Sequence, residues 1–123
     1  MKYAAALIAL LFFALLSIPR PVSAGDGEAL FKKKCKTCHK ISAKKKVGPG
    51  MAGLSKRPGI SREWLKKWLA NPQKVWEENE GYTVAMKKAL KKTKKKRTAM
   101  KLKGKFKVNP EEIDPIVDYI WGL

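Results

Sequence analysis

Cys35-Lys36-Thr37-Cys38-His39 contains both cysteines and the only histidine of this 123-residue chain. Cysteines three positions apart lie about one turn apart on a helix. This spacing allows two thiols to bond to the two vinyl groups of one haem, while the next residue offers an imidazole to the iron. C-x-x-C-H is the attachment signature of c-type haem. The sequence therefore predicts one covalent haem c, bound through Cys35 and Cys38, with His39 as an iron ligand.

Three other kinds of site use the same residue types. A structural zinc site usually has four Cys or His ligands, and this chain offers three. A thioredoxin-like C-x-x-C lies near a βαβ pattern, and no alternating strands and helices are visible here. A disulfide between Cys35 and Cys38 would leave His39 unexplained. We therefore favour haem attachment over these alternatives.

Residues 1–24 have the features of a cleavable export signal. A charged start at Lys2 precedes an apolar stretch of 16 residues from Tyr3 to Ile18, and Val22-Ser23-Ala24 is a small-residue cleavage site. The stretch is shorter than the ~20 residues that a membrane span needs, so an uncleaved anchor is the less favoured alternative. Because c-type haem is attached outside the cytoplasm, we expect a periplasmic or otherwise exocytoplasmic protein.

Cleavage after Ala24 leaves residues 25–123, which is enough for one small domain. The signal contains Lys2 and Arg20 and no acidic residue, so its removal lowers the net charge from +18 to +16. Lysine and arginine total 12 between Lys87 and Lys107, with no acidic residue among them. The positive electrostatic field of such a domain is expected to accelerate association with acidic protein surfaces, and salt weakens that field.

The spacing of apolar residues predicts helices throughout the domain, and no strand-like alternation is present. Asp26 is a candidate N-cap for a first helix that runs into Cys35. Ser61 is the candidate cap of a helix whose inward-facing residues are Trp64, Leu65, Trp68 and Leu69.

Three further helices follow in the same prediction. Asn71-Pro72 ends the second helix and begins a third, and a fourth starts at about Thr83 with its lysines on the outer side. The last helix follows Asn109-Pro110 and reaches Ile120 or Trp121. Pro115 marks either a kink near the start of that helix or its true first turn.

These motifs together resemble those of class I cytochromes c, which are small single-haem electron carriers. The resemblance covers residues 25–123, and its motifs occur in the family order. The positions that carry it are Gly27-x3-Phe31-x3-Cys35-x2-Cys38-His39, Val47-Gly48-Pro49-x4-Leu54, Asn71-Pro72, Glu111-Glu112-Ile113 and Val117-Asp118-Tyr119-Ile120.

The resemblance implies an all-α fold of about five short helices wrapped round one haem. It implies that the first and last helices cross, so that Gly27 and Phe31 meet Ile116 and Tyr119. It also implies that His39 is the proximal iron ligand and that its second ring nitrogen hydrogen-bonds to a backbone carbonyl at Pro49.

The sixth iron ligand is expected to be a methionine, because the chain has no second histidine and a thioether raises the reduction potential. The family arrangement, a methionine followed by a short loop and the final helix, implies Met100 as the distal ligand. Met86 is the alternative, although it lies on an amphipathic stripe where a buried core methionine is the ordinary explanation. Met51 lies too close in sequence to Pro49 to cross the haem ring easily.

The expected function is one-electron transfer between redox proteins, without enzymatic activity of its own. We expect a monomer that docks through its lysines on acidic redox proteins. The alternative is a haem subunit of a redox enzyme, or a five-coordinate haem catalyst or gas sensor. An anionic membrane surface is a further expected partner. Nucleic acid is not expected, because the basic stretch has a single aromatic residue, Phe106, and not the repeated interleaving that stacking on bases requires.

Overall fold

The computed structural model describes residues 24–123, so the proposed export signal, apart from Ala24, lies outside the described residues. Within this range the chain forms five α-helices and no strand. The helices are α1 (Ala24–Lys34), α2 (Arg62–Ala70), α3 (Pro72–Glu78), α4 (Tyr82–Ala89) and α5 (Pro110–Trp121). Two 3₁₀ turns, Leu54–Lys56 and Gly104–Phe106, lie in the long connections. The predicted all-α fold is confirmed.

The first and last helices pack against each other as predicted. A Cβ atom on Gly27 would lie 2.1 Å from the Pro115 carbonyl oxygen, so only a glycine allows α1 to approach α5 this closely. One turn further along, the Phe31 and Tyr119 rings are 5.6 Å apart between centroids. Phe31 and Ile116 are each 1 % exposed in the same hydrophobic cluster. This contact fixes the direction in which α1 delivers Cys35.

Local capping explains where the middle helices begin and end. The Ser61 hydroxyl accepts a hydrogen bond from the Trp64 N–H at 3.0 Å, which satisfies a free donor at the start of α2. Asn71 ends α2, and its side chain accepts from the Lys74 N–H at 3.1 Å to begin α3. Asn79 then ends α3 with a left-handed backbone, φ 53°. The predictions for Ser61 and for Asn71-Pro72 are confirmed.

The first helix differs in detail from the prediction, and the last helix takes the earlier of its two predicted starts. Asp26 lies in the first turn of α1 rather than at its N-cap, where its charge still suits the helix dipole. Helix α5 begins at Pro110, and Pro115 lies inside it. The Glu112 carboxylate accepts from the Asn109 N–H at 2.8 Å and completes the cap at that earlier start. The hydrogen bond from Lys34 and that from Asn109 both lower the pKa of Glu112.

Lys87 is buried, contrary to the prediction that the lysines of α4 lie on its outer side. It is 7 % exposed. Its ammonium group donates to the Trp76 carbonyl oxygen at 2.6 Å and to Asn79 Oδ1 at 2.8 Å. It also lies 4.6 Å from the centroid of the Trp76 ring. These contacts compensate its desolvation and attach α4 to the end of α3.

No helix within residues 24–123 is both long enough and apolar enough to cross a membrane.

Candidate haem-binding site

The helices surround a cavity of about 970 Å³, which is partly open to solvent. This volume lies near the top of the range of about 300–1,000 Å³ that is usual for cofactor sites. Its lining is mainly apolar and comes from all five helices and the connections between them. The sequence-predicted residues Cys35, Cys38, His39, Met86 and Met100 all line this one cavity.

The two cysteines lie where α1 gives way to a tight turn. The Cys35 N–H donates to the Phe31 carbonyl at 2.8 Å, and the His39 N–H donates to the Cys35 carbonyl at 2.9 Å. This continuation of the helical path brings both thiols and the imidazole to the same wall of the cavity. Sequence spacing alone predicted this grouping, because it depends on contacts within one turn.

Cys35 lacks the lowered thiol pKa that is usual in a redox dithiol. Both are free thiols, Cys35 buried and Cys38 half-buried. Burial raises the pKa of the Cys35 thiol to about 11. Redox dithiols instead lower the pKa of one cysteine so that its thiolate forms near neutral pH. Within residues 24–123, no three His, Cys, Asp or Glu side chains converge on a metal position, so a zinc site has no ligand set there either.

The His39 ring is held by the loop that follows the motif. Its Nδ1 donates to the Pro49 carbonyl oxygen at 2.8 Å, as the resemblance implied. A carbonyl oxygen only accepts, so in the neutral ring the lone pair lies on Nε2. A Cβ atom on Gly48 would lie 2.3 Å from His39 Cε1, so a larger residue would displace the ring. The pair Gly48-Pro49 therefore sets both the position and the tautomer of the imidazole.

Met100 reaches the cavity from the connection between α4 and α5, and a tryptophan holds its sulfur. The Trp68 indole N–H donates to Met100 Sδ at 2.9 Å. Trp68 is a buried residue of α2 that also lines the cavity. This hydrogen bond was not predicted, since the sequence marked Trp68 only as an inward-facing core residue. The spacing of apolar residues in α2 predicted that Trp68 faces inward. It did not predict that the Trp68 side chain meets Met100, 32 residues further along the chain.

Met86 and Met51 line the same cavity, but no hydrogen bond to either sulfur is present within the described residues. Met86 packs against the hydrophobic cluster from α4, and Met51 is buried in the loop after His39. Both positions agree with methionines that fill space in a core. The geometry therefore brings all three methionines near the cavity and holds the sulfur of Met100 by a specific donor.

Aromatic rings form one wall of the cavity. Trp64 and Trp68 are stacked with centroids 5.1 Å apart, and Tyr82 meets Trp64 edge-on at 4.8 Å. The Trp64 indole N–H donates to the buried Thr83 hydroxyl at 2.9 Å. The wall thus joins α2 to α4 and presents flat apolar surface to the cavity, which suits a planar macrocycle.

A comparison with protein-family models gave a match to the family described as Cytochrome c, over residues 24–123. The chain belongs to the cytochrome c family. Comparisons with curated proteins and with solved structures gave no match. Members of the family carry covalently bound haem c with its iron and act as haem-binding electron carriers.

The residues of this cytochrome fit that cofactor. Two thiols, an oriented imidazole and a thioether line one large apolar cavity, and an aromatic wall lies between α2 and α4. Gly48 leaves room for the imidazole that no other residue would leave. An imidazole nitrogen and a thioether sulfur are both donors that haem iron uses in electron-transfer cytochromes.

Proposed function

We propose that this cytochrome is an exported one-electron carrier between redox proteins. The observation that carries the proposal is the pairing of two held donors at one cavity: His39 with its ring fixed by Pro49, and Met100 with its sulfur held by Trp68. Bound haem c supplies a metal centre that gains or loses one electron. With both donors held in place by the protein, a bound iron would have no open position for a small ligand, which favours electron transfer over ligand binding.

The proposed ligand set follows from the same contacts. Cys35 and Cys38 provide the two thioether links, and His39 Nε2 is the proximal iron ligand. Met100 Sδ is the distal ligand, supported by the Trp68 donor, and Met86 is the alternative. The chain's own residues thereby orient both donors and keep the cavity lining apolar. An apolar lining excludes water and favours the reduced iron, which carries less charge.

An absorption spectrum and an intact mass of natively matured protein test this function together. We expect a c-type pyridine haemochrome, a weak near-infrared sulfur-to-iron band in the oxidised form, and no carbon monoxide binding by the untreated reduced protein. The mass is expected to equal that of residues 25–123 plus one haem. Rapid carbon monoxide binding would contradict the carrier proposal and favour a five-coordinate catalyst or gas sensor.

We further propose that the basic rim of the cavity docks on acidic redox proteins. Six lysines line the cavity and none of its described lining residues is acidic; the lysines are Lys34, Lys45, Lys92, Lys101, Lys103 and Lys105. Lys34 is paired with Glu112, whereas Lys101, Lys103 and Lys105 are exposed. An acidic partner that meets this rim lies next to the cavity through which electrons enter and leave. An anionic membrane surface offers the same charge and is the second proposed partner.

Reversing the charge of Lys101, Lys103 and Lys105 to glutamate is expected to slow association with an acidic redox partner by about tenfold or more at low ionic strength. Stopped-flow rates over a range of salt concentrations measure the effect, and we expect it to shrink as salt rises. The matched control makes the same change at exposed Lys67, Lys74 and Lys88 on the three middle helices, which lie outside the cavity lining. Equal slowing by both variants would remove the local docking role of the rim, and a salt-independent rate would remove electrostatic docking altogether.

A further inference from the structure

The 20 residues between α4 and α5, numbers 90–109, carry Met100 and are here called the Met100 segment. Its regular structure is limited to the 3₁₀ turn Gly104–Phe106. From Lys96 to Leu102 it makes no backbone-to-backbone hydrogen bond with any described residue. Long connections of this kind usually populate several conformations. Something other than the backbone must therefore place Met100 at the cavity.

The side-chain amide of Gln73, on α3, makes hydrogen bonds to the Met100 segment with both of its polar atoms. Oε1 accepts from the Thr98 N–H at 3.1 Å, and Nε2 donates to the Lys96 carbonyl at 3.2 Å. The amide therefore pairs with the two backbone groups on either side of Arg97, as a neighbouring strand would. Nε2 also donates to Glu77 Oε1 at 2.7 Å, one turn along α3, which fixes which way the amide faces.

A second contact from α3 supports the first. The Trp76 indole N–H donates to the Lys95 carbonyl at 2.8 Å. Trp76 is 2 % exposed and does not move without disturbing the core. Two residues about one turn apart on α3, Gln73 and Trp76, thus bind residues 95, 96 and 98 of the Met100 segment.

The contact with Thr98 continues to the methionine itself. Thr98 is 7 % exposed, and its hydroxyl accepts from the Met100 N–H at 3.2 Å. The opposite end of Met100 is held by Trp68 through the sulfur. The backbone and the side chain of Met100 are therefore tied to α3 and α2 respectively. Loss of the Gln73 contacts leaves the segment held only by the Trp76 contact at Lys95 and by the sulfur contact at Met100.

We propose that Gln73 is the positioning residue that holds the Met100 segment against the cavity, acting through Thr98. This inference rests on the proposed role of Met100 as the distal ligand. Gln73 touches neither the sulfur nor the cavity, since it is absent from the lining. Gln73 instead lowers the fraction of time that Met100 spends away from the cavity. It thereby limits how readily another ligand replaces the sulfur.

Replacing Gln73 by leucine tests the proposal, because leucine has a similar helix propensity and no hydrogen-bonding group. We expect the affinity of the oxidised protein for added imidazole, which competes with the methionine sulfur, to rise about tenfold. The near-infrared sulfur-to-iron band is expected to remain but to weaken. Independently of the haem spectrum, hydrogen exchange at the Thr98 and Met100 amides is expected to accelerate, because both are donors in this contact.

The control is Glu78→Leu, which introduces leucine at an exposed position of the same helix, and it is expected to behave as the unmodified protein. Should Gln73→Leu fold poorly, Gln73→Glu keeps the length and an acceptor for Thr98 while removing both N–H donors, and is expected to raise imidazole affinity as well. Imidazole affinity of a folded Gln73 variant within twofold of the Glu78→Leu value would overturn the proposal, even if thermal stability falls.

Failure of the ligand assignment is recognised separately. Met100→Ala measured in parallel must abolish the sulfur-to-iron band if Met100 is the distal ligand. Persistence of the band in Met100→Ala would overturn that assignment and the Gln73 proposal with it. Loss of the band in Met100→Ala, combined with control-like imidazole affinity in Gln73→Leu, would overturn only the positioning role.

Discussion

Replacement of Met100 by alanine is expected to lower the reduction potential by on the order of 0.1–0.3 V, within the span of about 0.8 V that axial ligands set. The thioether is a soft donor that favours the reduced iron, so its removal favours the oxidised form. The variant is also expected to bind carbon monoxide in the reduced state, because a coordination position becomes available. Spectroelectrochemical titration and a carbon monoxide difference spectrum measure the two effects.

Met86→Ala is the matched control, since Met86 lines the same cavity and has the same side chain. We expect it to cost stability through a lost core contact while the potential changes little. If the two variants exchanged behaviours, Met86 would be the distal ligand. If neither bound carbon monoxide, a ligand other than methionine would occupy the distal position.

Replacement of Gly27 by alanine is expected to destabilise the fold by about 3 kcal/mol or more, at or above the top of the usual range for overpacking. The new Cβ would lie 2.1 Å from the Pro115 carbonyl oxygen and 2.9 Å from Tyr119 Cβ. The first of these is a backbone atom of α5 and has no rotamer that relieves the clash. Thermal unfolding of the haem-loaded protein is expected to show a midpoint lower by roughly 12 °C or more.

Gly122→Ala provides the control for this experiment. A Cβ at Gly122 meets nothing closer than 3.7 Å, so the same chemical change introduces no crowding there. Comparable midpoints for the two variants would mean that α1 and α5 do not approach as closely as described. A lower unfolding midpoint for Gly27→Ala alone would instead support the crossing of α1 and α5 as the contact that aligns the Cys35 turn with the rest of the cavity.

Much of the fold could be predicted because its signals are local. Caps at Ser61 and Asn71 and the grouping of Cys35, Cys38 and His39 depend on neighbours within one or two turns. The resemblance extended this to one distant contact, the Pro49 carbonyl on His39, which the structure confirms. Where a local signal was ambiguous, as at Asn109 and Pro115, the helix start was left open between two positions and the earlier one is observed.

The remainder could not be predicted, because it depends on which helices become neighbours. The prediction that the α4 lysines face outward was wrong at Lys87. The end of α3 offers its ammonium group two hydrogen-bond acceptors, the Trp76 carbonyl and Asn79 Oδ1, and the face of the Trp76 ring. The Trp68 contact with Met100 and the Gln73 contact with Thr98 join residues 32 and 25 positions apart. No periodicity encodes such separations, since amphipathic spacing identifies a face but not what packs on it.

The sequence by itself determined the cofactor chemistry and the helical class, because a pentapeptide and its flanking apolar spacing act within single turns of chain. Tertiary structure alone decided how Met100 is held, because a connection of 20 residues with little internal hydrogen bonding takes its position from the helices beside it. The physical difference is one of range: covalent spacing fixes what lies within a turn, while packing fixes what lies across the cavity.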